Sequence, residues 1–380
     1  MFSPENTVLA TAILFITMIC WGSWSSIRML CKADAPVFVV IYIAGQFMFG
    51  TMWSLTLGMA RGVPGLFDAR TFILGLTDPG AWYRVLAIVA GGVACANSDF
   101  LAACACTRLP FAVVVPVFMG WSLIQATILN FIIEGSDCNI PLLFSGVFLA
   151  FMAICAMALS DSYASTPVSE FSSRLSRTSM SAEASEVQKS LLVPDVSASD
   201  EEKVHSRKPV SPWMYVSVLS GIFGGIWSPL QVVGRSGHNA VGNASVCLFF
   251  FQLGEILTIP LILWYHGRVI VVLDTKMPPV SISSYMSSVW NLPAEDKMYG
   301  ILAGGMVASG TYIFFTASEV IPSTVSFAIC SCAPLVTIVI GVCIFKQLKK
   351  ATFYQTFYIA VSTVLFISAI ALMVLADMES

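Results

Sequence analysis

The sequence predicts an all-α polytopic membrane protein of ten transmembrane helices, arranged as two inverted five-helix repeats. Three observations support this fold class. The 380 residues are 57% hydrophobic and only 11% charged, which leaves too little polar surface to cover a soluble globule. Apolar runs of about 20 residues, long enough to cross the hydrocarbon core of a bilayer as a helix, recur along the chain. Short segments of the first half also reappear in the second half in the same order.

The ten predicted spans lie between clusters of charged and turn-forming residues. They cover residues 7–27, 37–60, 84–107, 111–133, 141–161, 212–233, 244–265, 298–319, 323–345 and 353–376. A first five-helix repeat therefore occupies residues 1–161 and a second occupies 212–380. Residues 162–211 between them are rich in serine and mixed charge and poor in aromatic residues, which is typical of a disordered linker.

The distribution of lysine and arginine predicts the orientation in the membrane. The odd-numbered connections carry 15 of these residues and the even-numbered connections carry 4. Positive loops tend to stay in the cytoplasm. We therefore expect a multi-pass protein of the plasma membrane or an endomembrane, with both termini non-cytoplasmic and the central loop cytoplasmic.

Local matches between the two halves indicate an internal repeat. They are Gly22–Ser25 with Gly225–Ser228, Gln46–Gly50 with Phe251–Glu255, and Ala90–Gly92 with Ala303–Gly305. An odd number of spans per half forces the two copies into opposite orientations, and transporters built in this way bind their solute near the membrane midplane, between the repeats.

Two carboxyl groups fall inside predicted spans, where an ionisable side chain costs roughly 2.5–3.5 kcal/mol to insert. Asp99 shares a helix face with small residues such as Cys95, and Glu255 shares one with Gln252. A carboxyl group removed from water tends to hold its proton. We therefore predict that Asp99 and Glu255 couple proton movement to transport; the alternative is that each acid is only hydrogen-bonded between helices.

Aromatic and amide side chains in the spans are the candidate substrate-binding residues, because they suit an uncharged ring with hydrogen-bond donors and acceptors. They are Trp24, Gln46, Asn97, Gln125, Trp227, Gln252 and Tyr312. An offset of 213 residues between the halves places Tyr312 opposite Asp99. The alternative for Trp24 and Trp227 is that they anchor helix ends at the membrane interface.

Several of these segments also resemble the drug/metabolite transporter superfamily, most closely its ureide permease and sugar-uptake type. The resemblance lies in Cys20–Trp24, in Gly91 and Gly92 through Asn97 to Pro110–Ala112 and Pro116, and in Gly304 through Ile321 and Pro322 to Lys346. It covers nearly all ten spans. It implies two inverted five-helix units and proton-linked uptake of allantoin, uracil or a related heterocycle. The sequence departs from the pattern at Arg108 and Leu109, and in carrying acids at positions 99 and 255.

The predicted function is therefore proton-coupled secondary transport of a small neutral polar solute, such as a ureide or a nucleobase. A proton-coupled sugar transporter and a non-transporting receptor or scaffold are the alternatives. An enzyme is not expected, because the three histidines lie in loops or at a helix end and no catalytic motif occurs. The expected partners are the solute, protons, the lipid bilayer and, possibly, a second copy in a homodimer; basic residues do not cluster as nucleic-acid binding requires, and no cofactor is expected.

Overall fold

The computed structural model describes residues 7–60, 82–106, 111–135, 138–162, 212–235, 244–270, 280–344 and 351–378. Within these ranges the regular structure is helical, and ten segments are long and apolar enough to cross a membrane. The chain is therefore an all-α, multi-pass integral membrane protein. Residues 163–211 of the predicted linker lie outside the described ranges.

Twelve α-helices are described. They are α1 (Thr7–Leu30), α2 (Ala35–Ala60), α3 (Trp82–Cys106), α4 (Phe111–Glu134), α5 (Ile140–Ser162), α6 (Pro212–Arg235), α7 (Ala244–Tyr265), α8 (Ile282–Asn291), α9 (Ala294–Ala317), α10 (Ser323–Cys330), α11 (Pro334–Cys343) and α12 (Phe353–Met378). A π-helical turn, His266–Ile270, extends α7. The ten predicted spans are confirmed, each with ends within four residues of the prediction.

The ninth span is broken, which corrects the prediction of one continuous helix over 323–345. Proline at position 334 has no N–H to donate to the carbonyl of Cys330, and its ring crowds that carbonyl. The chain tightens instead into short-range hydrogen bonds, from Cys332 N to the Ile329 oxygen and from Ala333 N to the Cys330 oxygen, both 3.0 Å. The span therefore consists of two half-helices, α10 and α11.

The short helix α8 was not predicted. Its ten residues, four of them serine, lack the long apolar run that marks a span. Ser281 caps its N-terminus by accepting a hydrogen bond from Ser284 N at 3.2 Å. Leu292 and Pro293 then separate α8 from α9.

Helix pairs from both halves build the bundle. Helix α3 packs against α6 and α7, and α9 packs against α1 and α2. Helix α2 also crosses α7, α4 packs against α6 and α10, and α5 packs along α12. Helices of the second half thus contact those of the first half throughout the core.

Glycines allow the closest helix approaches at the centre. A Cβ added at Gly254 on α7 would overlap the carbonyl oxygen of Val89 on α3, and one added at Gly304 on α9 would overlap the carbonyl oxygen of Tyr42 on α2. Only a residue without a side chain fits where two backbones approach so closely. These contacts set the spacing between the helices that carry the polar core residues.

Replacing either of these glycines should force the two backbones apart. We expect Gly254→Ala and Gly304→Ala to lower the free energy of unfolding by roughly 1–3 kcal/mol, the usual cost of overpacking, and to lower the apparent Tm of the purified protein in detergent. Gly120→Ala is the control, because the new methyl group would meet only ring atoms of the Phe151 side chain, at 2.9 Å. An unchanged Tm for Gly254→Ala and Gly304→Ala would contradict the close approach.

Candidate functional site

A carboxyl group and a tyrosine join α3 to α2 in the middle of the bundle. The hydroxyl group of Tyr42 donates a hydrogen bond to Oδ2 of Asp99 at 3.0 Å. Tyr42 is fully buried, and its ring lies 5.4 Å from that of Trp24 on α1. The carboxyl group of Asp99 therefore faces neighbouring helices and not lipid.

Glu255 lies on α7, across from Asp99. Its side chain is 0% exposed, and neither of its oxygens has a hydrogen-bond partner of good geometry among the described residues. The Cys95 thiol, a weak donor, lies beside it, and the two carboxyl groups are close enough for their charges to interact. The structure thus brings together both acids that the sequence singled out. We call Tyr42, Cys95, Asp99 and Glu255 the carboxyl cluster.

The two acids differ in access. Asp99 and Cys95, one turn apart on α3, are half-buried, although the face that carries them is turned toward α2 and α7. Glu255 lies one layer deeper and is closed off. A proton that reaches Glu255 would therefore arrive by way of Asp99 and Cys95.

Buried amides and a phenol near the helix crossings lack protein partners. Both amide atoms of Gln46 on α2 and of Gln252 on α7 are buried without a hydrogen bond in the described structure, as is the hydroxyl group of Tyr312 on α9. The aliphatic part of Gln252 packs on Gly50 of α2. An unsatisfied buried polar group costs about 1–3 kcal/mol, so each of these groups suits a polar solute or ordered water.

The two repeat-related tryptophans lie in different surroundings. Trp24 is half-buried beside Tyr42. Trp227 is buried in an aromatic group with Trp21, Phe251 and Phe314, with ring centroids 5.5–5.9 Å away. Neither is at the lipid interface, so the interfacial-anchor alternative does not describe them. Trp24 is the better placed of the two to meet a solute beside Asp99.

Asn97 and Gln125 have protein partners instead. Asn97 donates to the Val93 oxygen at 2.7 Å and accepts a hydrogen bond from the Tyr265 hydroxyl at 3.2 Å. Gln125 accepts one from Nε1 of Trp121 at 2.6 Å, and half of the Trp121 side chain is exposed on the outer surface. Both side chains lie apart from the carboxyl cluster and act as helix-to-helix or within-helix contacts.

Sequence reasoning did not assign a role to Tyr42 or recognise Cys95 as a neighbour of Glu255. One signal was available for Tyr42, since it lies one helical turn before Gln46 and so shares its face. Nothing in the sequence pointed to Cys95 beyond its place one turn before Asp99. Among the described residues no group of three or more His, Cys, Asp or Glu side chains could hold a metal ion.

Comparison with known proteins supports the fold alone. The sequence matches no protein-family model and no curated protein. Thirteen chains of solved structures match in fold. One crystal structure aligns over 98% of this chain and 98% of its own, with a TM-score of 0.57 and 14% sequence identity.

Two tyrosine substitutions test the assignment of hydrogen bonds at the site. We expect Tyr42→Phe to lower the free energy of unfolding by about 1 kcal/mol or more, because it removes the donor to Asp99. Tyr312→Phe is the matched control: it removes a hydroxyl group that has no protein partner, so the Tm without solute should be unchanged or higher. Equal destabilisation by both variants, measured by thermal unfolding in detergent, would contradict the assignment.

Proposed function

We propose that this protein is a proton-coupled secondary transporter of a small neutral polar solute, such as allantoin or uracil, and a member of the drug/metabolite transporter superfamily. The observation that carries the proposal is the carboxyl cluster. Two acids on α3 and α7 lie in one buried group at the centre of a membrane protein. Intramembrane acids that face a bundle interior mark proton and substrate pathways.

An inverted repeat of α1–α5 and α6–α12 is part of the proposal, and the helix packing supports it. If each helix of the first half corresponds to one of the second, α3 against α6 corresponds to α9 against α1, and α2 against α9 corresponds to α7 against α3; all four pairs occur. The pairs α2 with α7 and α5 with α12 correspond to themselves and also occur.

Individual contacts correspond in the same way. Thr17 on α1 donates to the Gly310 oxygen on α9 at 3.2 Å, and Ser220 on α6 donates to the Ser98 oxygen on α3 at 2.8 Å. A Cβ at Gly92 would meet the backbone of Glu255, and one at Gly304 would meet that of Gln46.

These contacts adjust the register of the proposed repeat. Gly92 and Gly304 are 212 residues apart, one fewer than the offset inferred from the sequence, so Thr311 corresponds to Asp99 in place of Tyr312. In the same register Gln46 corresponds to Glu255. The α3–α7 crossing thus carries two acids, while the equivalent α9–α2 crossing carries neutral polar groups.

We therefore assign protons to the acidic crossing and solute to the neutral side. Gln46, Gln252 and Tyr312 offer unpaired donors and acceptors, and Trp24 offers an aromatic face. A neutral ring would satisfy these groups without needing a counter-charge. The same groups would also serve a sugar, so a proton-coupled sugar transporter is the competing function. By the lysine and arginine distribution, both termini are non-cytoplasmic.

Uptake into proteoliposomes tests proton coupling. With an inward proton gradient we expect wild-type protein to accumulate one of labelled allantoin, uracil or glucose. Asp99→Asn and Glu255→Gln should each reduce gradient-driven uptake at least tenfold, a typical order for removing an essential proton carrier. Glu295→Gln, which neutralises an exposed acid at the start of α9, is the control and should transport like wild type.

The mutants also separate the alternatives. If both acid variants keep full gradient-driven uptake, the carboxyl cluster does not couple protons. If glucose is the solute that accumulates, the sugar function replaces the ureide or nucleobase function. Thermal protection by a solute with no uptake, in protein shown to be folded, would favour a receptor.

The assignment of Gln46 to the solute gives a separate prediction. Gln46→Leu removes two unsatisfied amide atoms and should leave the Tm without solute unchanged or raise it, while weakening solute binding by about 1–3 kcal/mol through the loss of hydrogen bonds. The measurement is the Tm shift caused by the transported solute. A full solute-induced shift in Gln46→Leu would exclude Gln46 from the binding site.

A further inference from the structure

Helix α8 has two distinct faces that the transport proposal does not use. Its serines, Ser283, Ser284, Ser287 and Ser288, all lie on one side and are exposed. Its apolar residues Ile282, Tyr285, Met286, Val289 and Trp290 recur at spacings of three and four and form the other side.

One edge of the apolar face is fixed to the protein. Tyr285 is only 8% exposed, and its hydroxyl group lies 2.5 Å from Nδ1 of His266, just past the end of α7. Burial raises the pKa of Tyr285 to about 12, so the hydroxyl group keeps its proton at neutral pH. The His266 ring in turn packs edge-on against Phe100 of α3, with centroids 5.4 Å apart. Helix α8 is therefore held in one orientation.

The other edge of the apolar face has no protein cover in the described structure. Ile282 and Met286 are exposed by 40% and 47%, and Trp290 by 82%. The uncovered edge is continuous with the lipid-facing surface. Leu257, Leu261 and Trp264 form an exposed stripe along α7 up to the point where α8 follows, and Met298 and Leu302 form another on α9 just after it.

We infer that α8 is an interfacial helix that binds the bilayer surface, with Ile282, Met286 and Trp290 inserted among the lipid headgroups and upper acyl chains. An amphipathic helix with a tryptophan on its apolar face lies in the plane of the interface. Lys297 donates to the Trp290 carbonyl oxygen at 2.6 Å, and its ammonium group lies 5.9 Å from the Trp290 ring centroid. This places a cation at headgroup level beside the indole, the usual arrangement of interfacial anchors.

Lipid contact also has a consequence for the bundle. Because Tyr285 joins α8 to His266, the bilayer surface holds the end of α7, the helix that carries Glu255. This end of α7 is tied to α3 as well, through the hydrogen bond from Tyr265 to Asn97. Helix α8 thus couples the lipid surface to the α3–α7 pair.

Site-specific photo-cross-linking tests the lipid contact. The full-length protein is prepared with a benzophenone amino acid at Met286 or, as the matched control, at the adjacent Ser287, and is reconstituted in phosphatidylcholine nanodiscs. After illumination, intact-mass spectrometry should show at least about fivefold more lipid adduct for position 286 than for 287, because only the apolar face enters the interface. Equal lipid yields, or adducts of position 286 with protein segments alone, would overturn the inference.

Fluorescence quenching gives a second, independent readout on a conservatively substituted protein. The difference between wild type and Trp290→Phe isolates the Trp290 signal from that of the other tryptophans. Lipids brominated near the headgroup end of the acyl chain should quench this signal more than lipids brominated at the chain end. Absence of quenching by either lipid would place Trp290 outside the membrane and overturn the inference.

Discussion

The constraint on which the rest of the structure depends is the burial of two carboxyl groups in the middle of a lipid-embedded bundle. A single charge there costs several kcal/mol unless it is paired, hydrogen-bonded or neutralised by a proton. The chain meets this cost unequally. Asp99 accepts a hydrogen bond from Tyr42, whereas Glu255 has only the Cys95 thiol beside it. A proton is the simplest neutralising partner for Glu255, which is why the chemistry of the cluster favours proton coupling.

The glycines next to the acids produce that environment. Gly254 directly precedes Glu255, and Gly92 meets the Glu255 backbone from α3. Side chains at these positions would separate the helices by several ångströms and admit lipid or water between them. Close packing therefore keeps the local dielectric constant low, and the low dielectric constant makes the protonation of Glu255 sensitive to any group that approaches it. Packing and chemistry are two aspects of one arrangement.

Much of the fold was predictable, because the signals that define it are local. Apolar run length identified all ten spans, and the desolvation cost identified Asp99 and Glu255 as residues that need a reason. The break in the ninth span was also readable from Pro334, although apolar composition masked it. Helix α8 was missed because a ten-residue amphipathic helix carries no span-length signal, only the alternation of serine pairs with apolar residues.

The partners of individual side chains could not be predicted, since they depend on register between helices distant in the sequence. The spacing of glycines suggested an offset of 213 residues, and the contacts of Gly92 and Gly304 favour 212. On a helix, one residue is a rotation of about 100°, enough to exchange Tyr312 for Thr311 as the counterpart of Asp99. That rotation changes the chemistry of the proposed repeat. It puts both acids on one helix crossing and leaves Gln46 on the other, so that similar backbones present a proton site and a neutral polar site on two sides of one core. A rocking motion between such halves would expose the two sites together, and binding of a proton at one would then depend on the state of the other.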